Sequence, residues 1–172
     1  ERDFRNCTIV ELPRGDFAVM MLRNCALAIF LKLLWERLAD SSDAEVAAIA
    51  GKAVKEARYH HEHAAGWVVR LGDGSAESAA RSKAALELLW PYFAEIFEDD
   101  VVDDGALASG LGPRWSALAD AWRAEFGAVL AAAKLEPPVA RAFRSTGKSG
   151  KGILPVDGEL RHVDADNDPD LF

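Results

Sequence analysis

Apolar residues between positions 17 and 38 cover nearly every face of one predicted helix. Asp16 stands where a helix N-cap belongs, because its carboxylate can accept a hydrogen bond from an N–H group of the first turn. The longest stretch without a charge, Asn24 to Leu31, is about half of the roughly 20 residues that a bilayer requires. An apolar surface on all sides therefore predicts a helix packed on more than one side, and we expect no membrane contact.

A second, longer helix is predicted to follow Ser42, which forms a capping-box pattern with Glu45. Apolar and small residues then recur every three or four positions along one face, as in a half-buried helix. These positions are Val46, Ala50, Ala53, Ala57, His60, Ala64, Trp67 and Leu71. Gly72 follows them and suits a left-handed C-terminal cap.

The rest of the chain predicts two more helices. The third begins near Ser75, and Pro91 predicts a kink or a restart within its apolar pattern. The acidic stretch 98–105 is interpreted as the start of a loop. The fourth helix is predicted to run from Pro113 to the Pro137-Pro138 pair. Ahead of all four, Thr8-Ile9-Val10 is interpreted as a short extended segment.

Four helices joined by short loops predict an all-α antiparallel bundle. We assign residues 1–144 to this single helical domain, since 172 residues suit one core. Residues 145–172 are rich in Gly, Lys, Asp and Pro and poor in apolar residues. They are predicted to form a flexible acidic tail.

The net charge limits which partners the chain can bind, and the cysteines indicate its cellular compartment. The net charge of −8 and a pI near 5.0 disfavour binding to the phosphates of nucleic acids. Cys7 and Cys25 lack the paired spacing of a zinc or redox motif. Isolated thiols are typical of a reducing cytosol, so we expect a cytoplasmic protein.

One cluster on the second helix has side chains that can bind metals, and it consists of Glu56, His60, His61, Glu62 and His63. Glu56, His60 and His63 share a face, and Glu36 lies on the first helix. Di-iron sites in helical bundles use Glu-x-x-His, whereas Tyr59 stands three residues after Glu56. Two interpretations follow for the cluster, a hydrogen-bonded polar seam between helices or a metal site. Glu36 is interpreted as an ion-pair partner of Lys32, Arg37 or a neighbouring helix, with a role as metal ligand as the alternative.

Several stretches together resemble one family, the C subunits of bacterial phenylacetyl-CoA epoxidases. The resemblance covers about residues 1–140 and is carried by many positions at once. The stretches are Glu1-Arg2-Asp3-Phe4-Arg5-Asn6, Gly15-Asp16-Phe17-Ala18, Lys55-Glu56-Ala57-Arg58-Tyr59-His60, Trp67-Val68-Val69-Arg70-Leu71-Gly72-Asp73-Gly74 and Ala84-Ala85-Leu86-Glu87-Leu88-Leu89-Trp90-Pro91-Tyr92.

The resemblance implies a ferritin-like fold and a structural, non-catalytic role in a multicomponent monooxygenase. Such complexes epoxidise the ring of phenylacetyl-CoA in aerobic phenylacetate catabolism. It further implies no cofactor in this chain, because the di-iron centre belongs to the catalytic A subunit and a reductase subunit delivers electrons from NADPH. The expected partners are the A subunit and the other subunits of the complex.

The chain departs from the family pattern in three places. Family members carry a further helical pair ahead of the matching segment, for which this sequence has no counterpart. Ala28 stands where the family tends to have an acidic residue, and the C-terminal segment diverges. Two alternatives therefore stay open, a stand-alone di-metal oxygenase using Glu36, Glu56, His60 and His63, and a degenerate homo-oligomeric paralogue without enzymatic role.

Overall fold

The structure, a computed structural model, describes residues 6–139. This part of the chain is helical and contains no strand. Its α-helices are α1 (Thr8–Glu11), α2 (Phe17–Leu38), α3 (Ala44–Gly72), α4 (Ala76–Leu89), α5 (Val101–Ala108) and α6 (Ala119–Ala132). Three 3₁₀ turns lie between α4 and α6, at Trp90–Tyr92, Ala94–Phe97 and Trp115–Leu118. The all-α bundle is confirmed, and the boundary at 144 lies outside the described residues.

Helix α2 is the central element of the fold. Its N-cap is Asp16, whose carboxylate accepts a hydrogen bond from the Val19 amide at 3.0 Å, as predicted. It contacts α3, α4 and α6, which is why a helix with so little amphipathic character is stable here. Within residues 6–139 it alone is long and apolar enough to span a membrane by length and composition, yet its own fold buries 56% of the most apolar window.

Helices α2 and α3 form an antiparallel hairpin. At one end of the hairpin, the rings of Phe17 and Trp67 meet edge to face with centroids 5.2 Å apart. Towards the other end, Glu36 accepts hydrogen bonds from the Arg58 guanidinium at 2.8 and 3.2 Å. The expected ion pair of Glu36 with a neighbouring helix is therefore confirmed.

An aromatic cluster forms the core on the other side of α2. Trp122 and Phe126 on α6 contact Phe93, and Phe97 contacts both Trp122 and Phe30. Such edge-on and tilted ring pairs add specific attraction to the burial of large apolar surfaces. Cys25 lies in this interior, where burial raises the pKa of its thiol to about 12, so it stays protonated.

The lead-in is helical, and the prediction of an extended Thr8–Val10 is wrong. The side chain of Glu95, which is fully buried, accepts a hydrogen bond from the Thr8 amide at 2.7 Å. A carboxylate at a helix N-terminus accepts a hydrogen bond from a backbone amide and interacts favourably with the positive end of the helix dipole. Arg23 of α2 holds the following turn by donating to the carbonyls of Leu12 and Pro13.

The start of α3 differs by one residue from the prediction. Its N-cap is Asp43, whose carboxylate accepts hydrogen bonds from the amides of Glu45 and Val46. Ser42 instead bonds to the loop after α5, with its hydroxyl donating to the Ser109 carbonyl at 3.0 Å. Ser42, which the local pattern predicted as the cap, is therefore used in a tertiary contact instead.

Gly72 is not a left-handed cap, contrary to the prediction. Within residues 6–139, positive φ among glycines occurs at Gly15 and Gly110. A Cβ at position 72 would lie 2.2 Å from the carbonyl oxygen of Ala133. The glycine is required because the end of α6 passes close to the backbone of α3 there.

The remaining boundaries follow capping chemistry. The acidic stretch is not a loop but opens α5, where Asp100 and Asp103 form a reciprocal capping box. Helix α4 ends at Leu89 and is followed by 3₁₀ turns, as Pro91 predicted. The last helix begins at Ala119, after a 3₁₀ turn, and ends before Lys134, whose φ of 56° breaks it ahead of the proline pair.

Candidate functional site

A polar centre lies where α2, α3 and α6 meet. Lys32 of α2 forms an ion pair with Glu125 of α6, and 13% of the lysine side chain is exposed. The Nδ1 atom of His61, on α3, lies 4.0 Å from the same carboxylate. The three side chains come from three different helices, and Glu125 lies 93 positions after Lys32, so the bundle itself assembles the centre.

The electrostatics of the centre favour a neutral His61. Burial is the main cause that lowers its pKa below the usual value of 6.5, and the Lys32 ammonium lowers it further. The carboxylates of Glu125 and Glu62 act in the opposite direction without reversing the shift. The imidazole is therefore uncharged near neutral pH, and Lys32 supplies the positive charge opposite Glu125.

This arrangement is suited to a structural ion pair. Glu125 is already neutralised by an ammonium group, and a metal cation in the same place would have to displace Lys32. The remaining potential ligand, His61, is a single imidazole. Within residues 6–139, no group of three or more His, Cys, Asp or Glu side chains is arranged to hold a metal ion.

The structure does not bring the sequence-derived candidates together. Glu36 pairs with Arg58, on the same side of α3 as His61. Glu56, His60 and His63 point to solvent on another face of α3. There the Tyr59 ring lies 5.6 Å from the His60 ring and 6.1 Å from the His63 ring.

A histidine does take part in a polar contact between helices, but it is not one of the histidines on the predicted face. Of the cluster, His61 faces the other helices, whereas His60 and His63 are exposed. Residues on one helix advance by about 100° each, so neighbours in sequence face different directions. The predicted apolar face of α3 includes His60, whereas the face that the structure buries is turned towards His61.

Two carboxylates that the sequence did not predict lie in the interior, Glu95 fully buried and Glu125 partly buried. Glu125 follows the buried Trp122 by three residues and precedes the buried Phe126. An ionisable residue beside such a stripe is a signal that could have identified it. Glu95 lies shortly after Pro91 in a stretch of 3₁₀ turns, and no local pattern indicates its burial.

The fold and this centre together define the class of the protein. It is a helical-bundle protein with an ion pair between its helices, and its candidate carboxylates and histidines lie apart from one another. A family model described as "Phenylacetic acid catabolic protein" matches residues 1–153. The chain belongs to this phenylacetic acid catabolic protein family.

A curated relative gives a more specific similarity than the family model does. The chain is similar to the C subunit of the 1,2-phenylacetyl-CoA epoxidase of Escherichia coli strain K12, with 38% identity over 166 residues. The match covers 95% of this chain and 67% of the relative. The resemblance stated from the sequence motifs is thereby confirmed.

Proposed function

We propose that the chain is a non-catalytic structural subunit of a monooxygenase complex that epoxidises phenylacetyl-CoA. The similarity to an epoxidase C subunit supports the membership in such a complex. The ion pair of Lys32 with Glu125 is the observation that carries the non-catalytic role, because a protein cation occupies the polar centre between the long helices. The complex would act in the cytoplasm, in phenylacetate catabolism.

The oxidative chemistry would then belong to a partner. An epoxidation consumes O₂ and two electrons, and a chain of this kind would contribute by holding a catalytic di-iron subunit in its active arrangement. NADPH would deliver the electrons through a reductase subunit. This division of labour agrees with the dispersed positions of Glu36, Glu56, His60 and His63.

Complementation tests the proposal. An E. coli strain that lacks its own epoxidase C subunit would express this chain, and phenylacetyl-CoA consumption would be measured in its extracts. We expect restored consumption and co-purification of the catalytic subunit. The E. coli C subunit is the positive control, and an empty vector is the negative control. Normal expression without restored consumption or co-purification would contradict the proposal.

Iron analysis separates this role from a stand-alone di-metal oxygenase. The chain purified alone from iron-supplemented cells should contain less than about a tenth of an iron atom per chain, since two-metal chemistry requires both ions. It should also fail to oxidise phenylacetyl-CoA without the catalytic subunit. Two iron atoms per chain, or activity of the isolated chain, would overturn the non-catalytic role.

A further inference from the structure

We draw no further inference here: the strongest candidate, the partly exposed apolar stripe of α2 that includes Phe17 and Leu31, carries none, because nothing within the described residues 6–139 shows what covers it.

Discussion

The indole N–H of Trp122 donates a hydrogen bond of 2.8 Å to the main-chain carbonyl oxygen of Ala26. The bond ties the first turn of α6 to the middle of α2, across 96 positions of sequence. Trp122 is 1% exposed and also contacts Phe93, Phe97 and Phe126. This one side chain therefore joins the aromatic core to the central helix.

Replacement of Trp122 should separate these two contributions. Trp122→Phe removes the donor and part of the ring, and we expect a loss of about 1–2 kcal/mol in the free energy of unfolding. Trp122→Ala also leaves a large cavity and should lower it by about 3–5 kcal/mol. Urea denaturation followed by circular dichroism would measure both values. Equal losses for the two variants would show that ring volume contributes little.

Two glycines of α3 should respond to alanine in opposite ways. Gly72→Ala would place a Cβ against the Ala133 carbonyl, and we expect a loss of about 1–3 kcal/mol in stability from overpacking. Gly51→Ala is the matched control, since nothing lies within 4 Å of the added Cβ. It should stabilise the protein by about 0.5–1 kcal/mol, because alanine favours a helix interior. A stabilising G72A would contradict the close approach of α6.

The two ion pairs of α2 should differ in strength. Lys32→Met leaves the Glu125 carboxylate without its cation in a partly buried place, and we expect a loss of about 1–2 kcal/mol. A double-mutant cycle with Glu125→Gln should give a coupling of roughly 1 kcal/mol. The same cycle on Glu36 and Arg58, whose side chains are 35% and 57% exposed, should give about 0.5 kcal/mol or less. A larger coupling energy for the exposed pair than for the pair of Lys32 with Glu125 would contradict this order of strength.

The stability contributed by His61 should depend on pH. Burial and Lys32 hold the pKa of the folded imidazole below 6.5, so the unfolded chain binds the proton more readily. The contribution of neutral His61 is therefore fully present above pH 6.5 and is lost as the pH falls through the folded pKa.

Thermal or urea unfolding of the protein and of His61→Gln from pH 8 to pH 5 would measure this loss. The free energy of unfolding of the unaltered protein should fall more steeply below pH 6.5 than that of H61Q. Lys32 opposes the charged imidazole, while Glu125 and Glu62 favour it, so the steepness should decrease in Lys32→Met. Parallel pH profiles of the unaltered protein and H61Q would contradict the lowered pKa.

Local chemistry made several helix limits predictable. Asp16 and Ser75 cap α2 and α4 through bonds to amides three residues ahead, and such contacts depend only on nearby sequence. The end of α4 before Pro91 has the same local cause. The start of α3 was missed by one residue, because Ser42 is used by a distant loop.

For the candidate site, the sequence indicated which residue types are present but not which of these residues meet. Periodicity identified the histidine-rich face of α3 but misjudged its rotation, since His61 rather than His60 is turned towards α6. Glu95 gave no signal, because its partner, the Thr8 amide, lies 87 positions away. Side chains that meet through packing leave no fixed spacing in the sequence.

By itself, the sequence determined the helical class, the apolar character of α2 and the family resemblance. These depend on side-chain propensities and on spacings within a few turns, which the chain carries locally. The tertiary structure alone decided which residues meet. The pairing of Lys32 with Glu125 and the close approach at Gly72 both follow from how rigid helices pack around one another.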